Sequence, residues 1–182
     1  MEQERLLLEL ALKSIESDFN PSIEFNKAKL LEENSFLNEQ RATFVTLTLN
    51  GKLRGCIGSL VAHRSLLEDI LHNAKAAAFS DFRFNRLTQE EFEEIKIEIS
   101  LLTIPRHLEY IDLIDLEKKL VPNKHGVILE LEGKKATFLP QVWDQLPTFN
   151  EFMVHLCKKA GLDPSNLSGL PKIQIYEAQK IK

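Results

Sequence analysis

A chain of 182 residues that is 43% hydrophobic and 27% charged has the make-up of a folded protein with one substantial core, neither polar enough for disorder nor biased enough for a fibre. Its net charge of -4 argues against a general nucleic-acid binder, which displays a basic surface. With only 2 cysteines, Cys56 and Cys157, far apart and without metal-type spacing, it offers neither a disulfide framework nor a metal site.

Leu6, Leu7, Leu10, Ala11 and Ile15 recur at helical spacing, so the first element is an amphipathic helix ending before Asn20-Pro21. Its Glu2, Glu4 and Glu9 are unlike the basic start of a signal peptide. No apolar run approaches the roughly 18 residues of a membrane span. The expectation is a soluble, cytoplasmic protein without a membrane segment. Residues 21–41 show no clear period. Thr43 to Leu49 is β-branched or apolar, and Asn50-Gly51 then predicts a two-residue hairpin turn into a second strand.

Ser65 with Glu68 has the spacing of a helix start, and Leu66, Leu67, Ile70, Leu71, Ala74 and Ala78 give that helix a buried side as far as about Phe79. Thr88 with Glu91 and Thr148 with Glu151 repeat the device. Between them, residues 95–101 alternate as a one-sided strand does, and Pro105 closes it. Val127 to Leu131 and Ala136 to Leu139 predict a second hairpin across Glu132-Gly133. A helix from Thr148 to Gly161 and a short strand from Lys172 to Glu177 complete the chain. Adjacent hairpins mixed with helices predict an α+β fold with a largely antiparallel main sheet.

The second strand carries the stretch richest in chemistry, Leu53-Arg54-Gly55-Cys56-Ile57-Gly58. Glycines inside a strand mark a bulge or the close approach of a backbone or ligand. Continuing the hairpin register from the turn sets Leu47 opposite Arg54 and Val45 opposite Cys56, so the cation and the thiol share an apolar face. An arginine there needs a carboxylate, carbonyls or an anionic ligand to offset its desolvation, and a pocket is expected.

This hexapeptide resembles the signature of the AMMECR-type domain, known in bacteria as AmmeMemoRadiSam system protein A. Residues 73–79, Asp81-Phe82-Arg83-Phe84, Leu87-Thr88, residues 97–102 with Pro105, His125-Gly126, residues 138–142 and residues 156–162 resemble that family's other blocks in order. Where relatives read Asp-Pro-Arg-Phe, Phe82 replaces the proline. The resemblance implies a single domain over residues 1–182, α+β, with a main sheet flanked by helices and a smaller lobe. It also implies association with radical S-adenosylmethionine and Memo-like proteins, without implying a settled activity or cofactor.

Two functions are compatible with these residues. In the first, an enzyme or substrate carrier uses Cys56 as a nucleophile, redox thiol or soft ligand, with Arg54 orienting a small anionic ligand. Gly55, Gly58, Asp81, Arg83 and Gln141 are the further ligand-binding candidates, and His125 is a candidate acid or base. In the second, the chain is a non-catalytic adaptor: Cys56 is a small buried hydrophobe, Arg54 answers Asp81 or Glu98, and His125 is satisfied by loop groups. His72 reads as a surface partner of Glu68, and Cys157 as core.

Overall fold

Asn50 and Gly51 both take positive φ, 51° and 75°, and so do Glu132 and Gly133, 51° and 77°. Such turns match the right-handed twist of the strands they join, and each hairpin forms where its turn signal stands. The computed structural model describes residues 2–182, apart from the side chain of Asn166, and the chain divides into two compact units.

The first unit holds residues up to Leu102 together with Gln179–Lys182. Its elements are α1 (Glu2–Glu16), α2 (Lys27–Glu33), β1 (Thr43–Leu49), β2 (Lys52–Gly58), α3 (Leu66–Phe79), α4 (Gln89–Phe92) and β3 (Lys96–Leu102). The helical stripe of α1 buries Leu7, Leu10, Ala11 and Ile15 in one core with Leu67, Ile70 and Ala74 of α3 and Val45, Leu47 and Ile99 of the sheet. α3 starts where the Ser65 hydroxyl accepts the Glu68 N–H. α2, unannounced by any period, is capped by the Asn26 side chain and buries no residue fully. At the sheet margin Asp69 is buried yet satisfied: it accepts from the Thr43 N–H and hydroxyl, the Ser59 hydroxyl and the Asn73 amide, at 2.6–2.9 Å.

The second unit, Thr103–Ala178, holds β4 (Arg106–His107), α5 (Leu113–Lys119), β5 (Gly126–Leu131), β6 (Lys134–Phe138), α6 (Phe149–Lys159) and β7 (Lys172–Tyr176). α6 opens on the reciprocal Thr148–Glu151 capping box and buries Phe152, Met153, Leu156 and Cys157. Phe152 stacks on Trp143 with centroids 3.8 Å apart. A last strand, β8 (Ala178–Ile181), returns the chain to the first unit. The fold is thus α+β with two antiparallel four-stranded sheets, ordered β2-β1-β3-β8 and β4-β7-β5-β6. No described helix is long and apolar enough to cross a membrane.

One register expectation fails. Leu49 pairs with Lys52 and Thr48 with Leu53 as the turn dictates, but a bulge comes next: Leu47 pairs with Gly55, Thr46 with Cys56 and Val45 with Ile57. Arg54 is the extra residue. Gly55 therefore faces α3, and by alternation Cys56 turns to the other face, beside Thr46 rather than Val45. The cause is packing, because a Cβ on Gly55 would lie 2.1 Å from the Ala77 carbonyl oxygen. The bulge brings the residue without a side chain to the point where the helix backbone comes closest.

Candidate functional site

β2 is a sheet edge, so half of its peptide groups have no neighbouring strand. At Cys56 a pair of side chains takes the place of that strand. The Cys56 N–H donates to Asp81 Oδ2 at 2.9 Å, and the Cys56 carbonyl accepts from Arg83 Nη2 at 3.1 Å. Arg83 also grips Asp81 in a fork, Nε to Oδ1 at 2.9 Å and Nη2 to Oδ2 at 2.6 Å. Asp81 is buried and Arg83 exposed. The Arg83 fork, aided by the Cys56 and Arg83 N–H groups against the opposing effect of burial, holds the Asp81 carboxyl well below the usual carboxylate range.

The Cys56 thiol is half-buried, and its sulfur accepts from the Thr46 hydroxyl at 3.3 Å. Arg83 is the cation beside it: its guanidinium is held above its ordinary value chiefly by Asp81 and also by the neighbouring Cys56. Arg54 was expected in that role and is engaged elsewhere. Its Nε and Nη2 donate to Glu91 at 2.9 and 2.7 Å, and Nη2 reaches the Arg86 carbonyl at 3.4 Å. Glu91, not Asp81 or Glu98, is therefore the carboxylate that offsets its desolvation. Each partner shifts the other, Arg54 upward and Glu91 downward, through the hydrogen bonds between them. Arg54 Nη1 is buried without a partner among the described residues. The Phe84 ring lies 5.9 Å from the Arg54 guanidinium and 5.5 Å from that of Arg83.

Both glycines have packing duties. Gly55 admits the α3 backbone, and a Cβ on Gly58 would lie 2.2 Å from the Phe44 ring and 2.5 Å from the Thr43 carbonyl oxygen. The sequence-predicted residues Arg54, Gly55, Cys56, Gly58, Asp81 and Arg83 thus come together around one edge strand. His125 and Gln141 lie in the second unit. His125 is buried; its Nδ1 accepts the Val121 N–H at 3.1 Å, its carbonyl accepts Trp143 Nε1 at 2.9 Å, and burial pushes its pKa down. Gln141 Oε1 is buried with no partner among the described residues.

Sequence reasoning passed over Thr46, Phe84 and the second duty of Glu91. The Thr88–Glu91 capping box was legible, but nothing local says that its carboxylate also receives Arg54 from 37 residues away. Among the described residues no group of three or more His, Cys, Asp or Glu is placed to hold a metal ion.

Comparison with known proteins adds a second line. The AMMECR1 family model matches residues 8–181. Protein LS215_2104 of Saccharolobus islandicus is 38% identical over 172 residues, covering 88% of this chain and 72% of the relative. Protein Mbar_A1807 of Methanosarcina barkeri is 33% identical over 183 residues, covering 98% of this chain and 89% of the relative. Among solved structures, the uncharacterized protein PH0010 from Pyrococcus horikoshii matches with a TM-score of 0.83 at 28% identity, covering 98% of this chain and 90% of that one.

Proposed function

We propose, from the premise that this chain belongs to the AMMECR1 family, that it is an enzyme or substrate carrier holding a small anionic molecule against the Cys56 thiol. One observation supports this above the rest. Among the residues gathered at the edge strand, the half-buried Cys56 side chain takes part in no ion pair and accepts one hydrogen bond, from Thr46, whereas Arg54 answers Glu91, the two glycines make room, and Asp81 with Arg83 fixes the Cys56 backbone. The clamped backbone fixes the direction of the Cys56 Cα–Cβ bond and the Thr46 hydrogen bond orients the sulfur, which is what a positioned thiol needs. The partly exposed Arg83 guanidinium beside it suits a ligand carrying negative charge. Arg83 takes the ligand-orienting role first given to Arg54; His125 and Gln141 have no part in this reading. Radical S-adenosylmethionine and Memo-like proteins are its proposed partners.

Competing alkylation of the folded protein by iodoacetate and iodoacetamide, read by peptide mass spectrometry, tests it. Cys157 is 1% exposed and serves as the internal blank. Relative to a cysteine peptide, Cys56 is expected to favour the anionic reagent by about threefold, the worth of one partly exposed charge pair. The preference should shrink in Arg83→Gln. A folded protein that leaves Cys56 unlabelled, or labels it without preference, would overturn the reading.

One observation favours the adaptor. Phe82, between the clamp residues, is 94% exposed. An aromatic held out on a braced loop suits an interface anchor. In that case Phe82→Ala abolishes capture of a radical S-adenosylmethionine or Memo-like partner and Cys56→Ser does not; the reverse pattern favours the thiol.

A further inference from the structure

On α3, Glu68, Leu71, His72 and Lys75 lie on one stripe, three and four residues apart. The stripe forms one wall of a cleft of about 650 Å³ inside the first unit, whose other walls are α1 and the loop leading into α2. Its lining shares no residue with the Cys56 site, so a ligand held here is independent of any chemistry at that thiol.

The cleft is two-natured. Ile23, Phe25 and Leu71 give it an apolar floor. Ser14 and Ser17 also line it, but both hydroxyl protons are spent within the protein, on the Leu71 carbonyl at 2.7 Å and the Ser14 carbonyl at 2.8 Å. Besides His72, the remaining lining is charged: Lys27, Arg64 and Lys75 with one lining carboxylate, Glu68, in a chain whose net charge is -4. Asp18 and Asp69, outside the lining, approach Lys75 and Arg64, so the attraction for an anion depends on which cations are weakly paired.

Two of these cations, Arg64 and Lys27, are loosely answered, whereas Lys75 pairs with Asp18 at 3.0 Å. Arg64 makes no hydrogen bond among the described residues; its Nη1 is buried and stands 3.9 Å from Asp69 Oδ1, a carboxylate already served by four closer donors. Lys27 meets Glu68 only at 3.8 Å. His72, expected to pair with Glu68, has no hydrogen bond or ion pair among the described residues. A guanidinium without a hydrogen bond, sharing a cleft with the loosely paired Lys27 ammonium and an apolar floor, matches a phosphate monoester whose organic part is apolar.

We propose that this cleft is a binding site for a small organic dianion of the phosphate-monoester kind, with Arg64 and Lys27 receiving the phosphate and Phe25 and Ile23 the apolar body. Titration of the intact protein with phenyl phosphate, by calorimetry and by amide chemical-shift mapping, tests it. Phenyl phosphate should bind and shift amides of residues 14–27 and 64–75. Phenol and inorganic phosphate, each lacking one half of the match, should bind at least about tenfold more weakly, the worth of one charge-assisted hydrogen bond. Arg64→Gln should weaken phenyl phosphate about tenfold. Lys27→Gln, which gives up only the 3.8 Å approach to Glu68, is the second charge variant and should also weaken binding, and Ser17→Phe should block the cleft without removing a charge. No binding up to roughly 10 mM, phenol binding as well as phenyl phosphate, or affinity unchanged in Ser17→Phe would each overturn the proposal.

Discussion

Gly55→Ala is expected to remove about 3 kcal/mol or more of stability, although a glycine replaced by alanine in a strand ordinarily gains a fraction of that. The usual gain comes from the unfolded chain, which has fewer conformations to lose. Here the folded chain decides the sign. The added methyl would sit 2.1 Å from the Ala77 carbonyl oxygen and 3.1 Å from its carbon, and both are backbone atoms of a helix packed against the sheet and α1. Ala77 is 1% exposed, so the helix has no slack on that side. Relief would need β2 and α3 to part by about an ångström, which loses contacts all along an interface packed as densely as a crystal. Gly169→Ala, with nothing within 4 Å of its added methyl, is the matched control and should stay within about 1 kcal/mol of the parent. Urea unfolding of both variants reads the difference. A Gly55→Ala protein as stable as its parent would mean that the close approach of α3 does not constrain this strand.

The same contact marks where the sequence stopped being legible. The two hairpin turns, the capping signals of α3, α4 and α6, and the alternation of β3 are written in residues next to each other, and each element formed there. The bulge at Arg54 is not. Two glycines warned of a close approach, but which backbone approached, and hence which face Cys56 took, depended on Ala77, 22 residues further on. The pairings of Arg54 with Glu91 and of Cys56 with Asp81 and Arg83 are of the same kind, side chains from a short helix and a loop distant in sequence meeting an edge strand. The gathering of Lys27, Arg64 and Lys75 around one cleft has no local signature either, since the three come from separate segments. α5 is a different miss: the Asp112 side chain caps it at the Asp115 N–H, a legible start, but seven residues with one buried leucine show no period.

Asp81→Asn is expected to cost about 2 kcal/mol at neutral pH, less than a fully buried ion pair because Arg83 remains partly in water. The buried carboxylate accepts from Arg83 and from two backbone N–H groups. An amide in its place would turn an NH₂ toward donors, leaving the Cys56 N–H or the guanidinium unanswered at a sheet edge. The sign of the pH effect comes from the depressed pKa. Above about pH 5 the carboxyl is ionised in both folded and unfolded chains, and its contribution is complete. Below about pH 4 the unfolded chain takes up a proton that the folded chain refuses, so the contribution drains away as pH falls toward the folded pKa. Glu91 also has a lowered pKa and weakens the parent and the variant alike, so the difference between them isolates Asp81. Urea midpoints at pH 6 and pH 3 should show the gap narrowing by about 1 kcal/mol. Faster hydrogen exchange at the Cys56 N–H of the variant should accompany it, since the clamp that replaces the missing strand has lost its acceptor. A gap as wide at pH 3 as at pH 6 would show that Asp81 acts through its shape alone, and the electrostatic account of how β2 holds its cysteine would have to be abandoned.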